Sequence, residues 1–346
     1  MSGRRRILTG IRPTGSLHLG HYAGALKQWL ELQDEYECFF LIADYQVSDY
    51  ADDIDHVRRS VWEVALDWLA VGLDPQRSHF VVESQVPQHA ELSVLLSWFL
   101  PLGRLQRNPT LKSEMAALEE SKHSVPVGFF MYPLMQVANI LLPRADLVPV
   151  GEDQLPHIEL TRDVAERFNR ETGAEVFPLP NARLGKVTRL VGLQGDAKMS
   201  KSLDNSIDLK DDAETVRRKV MSMFTDPKRI HRTDPGTVEG NPVFIYHDAF
   251  NPDVAQVEEM KASYRKGGPD AIGDVEVKKR LVTVINDLLE PMRERRAYYE
   301  AHPKLVQEAL EAGSAAERAV AEETMADVRA ALKLDYFARG MPGAAT

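Results

Sequence analysis

The chain has 346 residues, 44% of them apolar and 27% charged, with 52 acids against 42 bases for a net charge of −10, and a single cysteine. At about 100 to 200 residues per domain this length suggests two domains, or one large domain carrying an insert, and the composition excludes disordered, collagen-like and disulfide-scaffold proteins. The acidic balance argues against indiscriminate binding of nucleic acid while leaving room for a local basic surface.

In chain order, the basic start is interrupted by Arg12 and Pro13 before any apolar stretch builds up, so it does not read as an export signal. The apolar run Cys38 to Ala43 is far below the roughly 18 to 20 residues that cross a bilayer, and a cytoplasmic protein is expected. Residues 6–9 read as a strand that runs into a loop at Gly10, Pro13 and Gly15. Leu19, Tyr22, Ala23, Leu26, Trp29 and Leu30 recur at helical spacing, and residues 38–45 form a continuous apolar run, the pattern of a strand buried on both faces. Asp52 or Asp53 can cap a helix that carries Ile54, Val57, Val61, Val64 and Trp68 on one face and ends at Gly72, before a strand at 79–84. Strands alternating with helices predict a doubly wound α/β fold with a parallel sheet. Residues of about 88–180 read mostly as helices, an insert between two parts of the sheet, and from Asp211 onward only helical spacing is found. A boundary is therefore expected near Asp208, dividing a catalytic domain, 1–207, from an α-helical domain, 208–346. Pro291 suggests that one helix ends and another begins there.

The chemistry narrows by elimination. Gly185-Lys186 is followed by Val187, so there is no P-loop; no G-x-G-x-x-G follows the first strand, no G-x-S-x-G is present, and no cysteine-rich or H-E-x-x-H cluster offers a metal site. At the end of the first strand stands His18-Leu19-Gly20-His21. A helix beginning near Leu19 would offer unpaired N–H groups and the positive end of its dipole to phosphate, with two imidazoles as donors and Gly20 leaving the backbone bare. Far along the chain, Lys198-Met199-Ser200-Lys201-Ser202 lies in a polar loop where two lysines can close over a polyphosphate. Each pattern alone also fits a plain alternative, a capped helix or a solvated loop.

Together, in this order, the two patterns match the signatures of class I aminoacyl-tRNA synthetases. The stretches 131–142 and 149–169 resemble those of bacterial tryptophanyl-tRNA synthetases rather than the related tyrosyl enzymes, and the similarity runs from about Ile7 through the helical C-terminal region. The resemblance implies a Rossmann-like catalytic domain, a tRNA anticodon-binding α-helical domain, a homodimer with its interface in the insert around 88–140, and tRNA(Trp), L-tryptophan and ATP with Mg2+ as substrates. It gives His18, His21, Lys198 and Lys201 catalytic roles, and adds Gly10, Arg12, Gly20, Met199 and Ser200 as ATP contacts. Gly10, Tyr132, Gln136, Asn139 and Gln154 fall to the amino acid. Asp153 equally fits a helix cap before Pro156. Arg217, Arg218, Lys219, Lys228, Arg229 and Arg232 suit tRNA phosphates or, as readily, a solvated helix face balanced by nearby acids.

Two positions depart from the family pattern. Arg12 stands where the family often has Gln, and Asn139 replaces the aspartate that accepts the indole N–H. The amide oxygen of Asn139 can still accept, without charge assistance. Restoring aspartate there is expected to tighten tryptophan binding, the rest of the pocket fitting a carboxylate; it would weaken binding if the pocket has been rebuilt around the amide. The tyrosyl enzymes, a paralogue that serves as a binding or regulatory partner, and a pocket for a modified tryptophan stay open at this point.

Overall fold

The computed structural model describes residues 4–122, 124–185, 190–195 and 205–339. Its frame is a sheet of five strands, β1 (Arg6–Ile11), β2 (Glu37–Ile42), β3 (Ser78–Val82), β4 (Leu147–Val150) and β5 (Asn181–Leu184), in the order β3-β2-β1-β4-β5. Every pairing is parallel. The central strands are apolar on both faces because both faces are covered. Ile7, Cys38, Phe40, Ile42 and Phe80 point into one core, and Leu8, Phe39, Leu41 and Val81 into the other. The first core is completed by helices Ile54–Val71 and Asp274–Ala301, the second by helices Val127–Leu141 and Leu155–Thr172. Cys38 is buried in β2, where burial pushes its thiol up to about 12, an inert group.

The helix after the first strand is not uniform. Leu19–His21 and Lys27–Leu32 are α-helical, and between them Tyr22–Leu26 takes the wider π form. Asp53 caps the next helix, its carboxylate accepting from the His56 N–H at 3.0 Å, and Gly72 ends it at φ 102°.

Three elements differ from the sequence reading. Leu147–Val150, inside the stretch read as helical, is a strand paired on both sides; it is only four residues long and contains Pro149, which argues against a strand in any pattern. Asp153 does not cap the helix before Pro156: Gln154 holds that position, without a side-chain bond to the helix. The helix Asp274–Ala301 runs through Pro291 without a break. Residues beyond the proline hold it in place, with the Arg293 Nε donating to the Asp211 carbonyl at 2.8 Å and the Arg295 Nε to the Ala70 carbonyl at 2.6 Å.

The long helix Pro303–Ala331 crosses the outer edge of β3. Its Ser314 hydroxyl accepts the edge N–H of Val82 at 3.1 Å, and at Gly313 a side chain would begin 2.2 Å from the Phe80 carbonyl oxygen. An unpaired sheet edge is thereby closed by a helix at a distance that only glycine permits. Among the described residues, no helix is long and apolar enough to cross a membrane.

Candidate active site

In a doubly wound sheet the direction in which successive strands are added reverses between two neighbouring parallel strands, and a crevice opens beyond their carboxyl ends. Here that point lies between β1 and β4, and a cleft of about 300 Å3 opens there. Gly10 and Ile11 line it from β1 and Arg12 from just beyond it, Val150 from the end of β4, and Gly151 and Gln154 from the turn that follows. Tyr132, Gln136 and Asn139 come from the helix Val127–Leu141, four and three residues apart and so on one face. The fourth wall is the π turn, whose Gly24 and Ala25 are too small to fill the space, with Gln28 and Trp29 after it. The five residues expected to hold the amino acid therefore converge on one cleft, and Arg12 joins them.

The polar groups of the cleft are tuned by burial. The Tyr132 hydroxyl lies 3.4 Å from His157 Nε2. Burial, reinforced by Glu114, raises the phenol well above its ordinary value, so it stays a neutral hydroxyl. Burial pushes His157 down to about 4, which keeps the imidazole neutral near pH 7. The Arg12 Nε donates to the Gln46 carbonyl at 2.7 Å, and its guanidinium pairs with Asp49, so it is held at the rim in one orientation. At Gly10 a Cβ would sit 2.5 Å from the Leu41 carbonyl oxygen, which is why the strand end is bare backbone.

Asn139 is buried, 2% exposed, and only half satisfied. Its Nδ2 donates to Glu83 Oε1 at 2.7 Å, while its Oδ1, itself buried, has no hydrogen-bond partner among the described residues. A buried acceptor left unmatched costs about 1 to 3 kcal/mol. The Glu83 carboxylate that turns the amide is fully buried; it also accepts the Tyr45 N–H at 3.0 Å and the Gln46 side chain at 3.4 Å. Beside them the buried His89 meets Glu317 of the long C-terminal helix at 3.3 Å. Burial opposes the imidazolium, but Glu317 and then Glu83 outweigh it and raise the His89 pKa, with the Asn139 side chain assisting.

His18, Gly20 and His21 do not line this cleft; they stand at the start of the helix that forms its π wall. His18 Nδ1 accepts from the Gly20 N–H at 3.1 Å and His21 Nδ1 from the His18 N–H at 3.2 Å, with the rings 3.9 Å apart. With both Nδ1 atoms accepting, each neutral ring carries its proton on Nε2. Lys198, Met199, Ser200 and Lys201 lie outside the described residues. The residues that flank them are bound next to His18: the Leu193 N–H donates to the Asn205 carbonyl, the Leu19 N–H to Ile207, and the Leu209 N–H to Leu17, at 2.9 to 3.0 Å.

The basic stretch divides. Arg229 is an internal strut, its side chain buried among the carbonyls of Arg232, Asp234 and Ile272 and 3.2 Å from Asp274, with the guanidinium 4.1 Å from the Tyr264 ring. Arg232 donates to the Ala271 carbonyl at 2.8 Å, Lys219 pairs with Asp211 at 2.7 Å, and Arg217 pairs with Glu214. Arg218 and Lys228 are exposed.

Glu83, Gln46, Glu114 and His157 were not singled out from the sequence. Glu83 left a signal, a carboxylate at the carboxyl end of an otherwise apolar parallel strand, where such a sheet binds ligands. The other three become neighbours of the cleft only through tertiary packing.

Comparison with known proteins agrees with this geometry. The family profile described as tRNA synthetases class I (W and Y) matches residues 2–290. The tryptophan–tRNA ligase of Treponema pallidum is 50% identical over 332 residues, covering 95% of this chain and 97% of that protein, and the one of Chlamydia caviae is 46% identical over 344 residues, covering 96% and 97%. Among solved structures, the tryptophanyl-tRNA synthetase of Campylobacter jejuni complexed with ADP and tryptophan superposes with a TM-score of 0.83 at 34% identity, over 95% of this chain and 99% of that one. With half its residues shared along almost its whole length with such a ligase, the chain belongs to the class I tRNA synthetases of the W and Y family, on the tryptophanyl side.

Proposed function

We propose that this protein activates L-tryptophan with ATP and transfers the tryptophanyl group to tRNA(Trp). In the first step a carboxylate oxygen of tryptophan attacks the α-phosphorus of ATP; the bond to the β-phosphate oxygen breaks, and pyrophosphate leaves with the Mg2+ that accompanied ATP. In the second, a hydroxyl of the terminal ribose of tRNA attacks the carbonyl carbon and AMP departs. No protein nucleophile is needed, so catalysis is positioning and stabilisation of charge on phosphate oxygens.

The observation that carries this reading is the convergence of Gly10, Tyr132, Gln136, Asn139 and Gln154 on one cleft at the switch point of the sheet. In it, Asn139 Oδ1 receives the indole N–H, Tyr132 and Gln154 face the ammonium and carboxylate, and Gln136 and Gly10 flank them. His18, Gly20 and His21 bind ATP phosphates at the helix start with Arg12 at the rim, and Lys198, Met199, Ser200 and Lys201 grip the leaving pyrophosphate. The part from 1 to 207 does this chemistry, with the homodimer interface in its insert, and 208–346 reads the anticodon. Val94, Trp98 and Leu102, large apolar side chains exposed in the insert, support the dimer, and a cytoplasmic site of action accompanies the charging of tRNA. Incubating the protein with ATP, Mg2+, unfractionated tRNA and labelled tryptophan tests the whole sequence. Acid-precipitable tryptophanyl-tRNA is the expected result; its absence in a preparation that binds ATP and tryptophan would favour a binding partner over a working ligase.

A further inference from the structure

The chain that enters the first signature is held from two sides. On one, the Leu17 carbonyl accepts the Leu209 N–H and the Ile207 carbonyl accepts the Leu19 N–H, both at 2.9 Å. On the other, the Leu17 N–H donates to Asp67 Oδ2 at 2.6 Å. Leu17 is 1% and Asp67 0% exposed, so bulk water does not compete for that bond. The second oxygen of Asp67, Oδ1, accepts from Arg296 Nη1 at 2.5 Å, and Arg296 Nη2 donates to Glu63 at 2.7 Å. Glu63 also pairs with Lys210 at 3.0 Å. A single polar node, built from the helices Ile54–Val71 and Asp274–Ala301, therefore reaches the chain one residue before His18 and one residue after Leu209. His18 is the extended residue that caps its helix, its Nδ1 accepting the Gly20 N–H, so a shift of the Leu17 peptide carries the His18 ring and the helix start with it.

We propose that Asp67 is a positioning residue for the ATP site: by accepting the Leu17 N–H it fixes His18 and the helix start where the phosphates bind, and Arg296 orients Asp67 for that task from the helical part of the chain. The proposal rests on the reading of His18, Gly20 and His21 as ATP contacts given above. It is separable from the contribution of the ion pair to stability. The Leu17 N–H and the Arg296 guanidinium are both donors, so position 67 must accept in two directions, and a carboxylate has an oxygen for each. In Asp67→Asn one end becomes an NH2; the charged guanidinium takes the remaining oxygen, and the NH2 is turned against the Leu17 N–H. Adding Arg296→Met removes the competing donor, and the asparagine oxygen turns back to Leu17. Asp67→Leu/Arg296→Met has an equally uncharged pair of similar size, with no acceptor for Leu17 at all.

The test measures kcat/KM for ATP by ATP–pyrophosphate exchange at saturating tryptophan, the stoichiometry and dissociation constant of tryptophan by calorimetry, and folding by thermal unfolding. Asp67→Asn should lower kcat/KM for ATP by about tenfold or more, since a small misplacement of a phosphate-binding group is costly. Asp67→Asn/Arg296→Met should recover most of that loss and Asp67→Leu/Arg296→Met should not, with tryptophan stoichiometry and dissociation constant unchanged throughout. A merely structural lesion would deepen with the second substitution and take tryptophan binding down in parallel, and either result overturns the proposal. If the leucine variant does not fold, the recovery from Asp67→Asn to Asp67→Asn/Arg296→Met carries the test. Equal kcat/KM in the two double variants, or Asp67→Asn at the wild-type value, overturns the role of Asp67 and leaves the ATP signature standing. His18→Ala with undiminished kcat/KM for ATP overturns the reading of that signature, and the inference with it.

Discussion

At the scale of single residues, the informative feature is a departure. The sequence marks Asn139 as unusual without saying whether its surroundings still suit a carboxylate. The structure decides, because the amide nitrogen is engaged by a buried carboxylate at 2.7 Å. Asn139→Asp, expected from the sequence to tighten tryptophan binding, should instead weaken it, since a charge placed against Glu83 is repelled or must take up a proton. Calorimetry at pH 7.5 checks this, and tighter binding would show that the pocket is not built around the amide. Asn139→Leu removes the acceptor outright and should weaken binding by more than about tenfold, or ~1.4 kcal/mol. The two loop lysines act on a later stage of the reaction. Lys198→Ala and Lys201→Ala should each slow tryptophan activation by about 100-fold with little change in the Michaelis constant for tryptophan, because their charge matters most as pyrophosphate departs. Pre-steady-state rates of adenylate formation measure it, and near-normal rates would reduce the loop to a solvated connector.

At the scale of elements, what was legible follows from how much of each element's reason for existing is local. The strands β1 to β3 carry continuous apolar runs because both faces are buried, and the helix Ile54–Val71 has its cap, its stripe and its terminal glycine in the sequence itself. The strand β4 is held by neighbours on both sides and contains a proline, so its strand character is tertiary. The uninterrupted helix through Pro291 has the same origin, since a proline in mid-helix costs about 3 kcal/mol and must be offset by contacts such as those of Arg293 and Arg295. The π turn Tyr22–Leu26 has no local signature beyond small residues, yet it forms one wall of the cleft. At Gly313 two tendencies compete. Alanine would favour the helix by roughly 1 kcal/mol, but its Cβ would fall 2.2 Å from a backbone oxygen of β3, and neither backbone yields cheaply. Gly313→Ala should thus destabilise the protein by about 1 to 3 kcal/mol in urea unfolding, whereas stabilisation would mean the helix does not clamp the strand edge.

At the scale of the whole molecule, the proposed catalytic and α-helical parts share a core rather than meeting across a seam, and the polar links between them reach the candidate site. Arg296 is 2.5 Å from Asp67 and 2.7 Å from Glu63, and Asp67 in turn accepts the Leu17 N–H at 2.6 Å, one residue before His18. Burial pushes the Asp67 carboxyl up to about 6, against the pull of Arg296 and the Leu17 N–H. A carboxyl raised above its unfolded value of about 3.9 contributes less stability as pH climbs through that interval, because the folded state binds the proton more tightly. Removing the arginine raises Asp67 further. Arg296→Met should therefore lower stability by about 3 to 5 kcal/mol near pH 7, and by less at pH 5, where the stranded carboxyl is protonated. Unfolding measured at the two pH values tests this, and an equal loss at both would mean that Asp67 does not depend on Arg296. The convergence of distant segments on Leu17 and His18 was hidden from the sequence, because it depends on which helix ends reach the signature and not on the signature itself.

The central claim is that this cleft activates tryptophan, and ATP–pyrophosphate exchange measures that step alone. Run separately with tryptophan, tyrosine and ring-substituted tryptophans, the exchange should depend on tryptophan and be absent with tyrosine. Exchange with tyrosine and not tryptophan, or exchange confined to a substituted indole, would contradict the account.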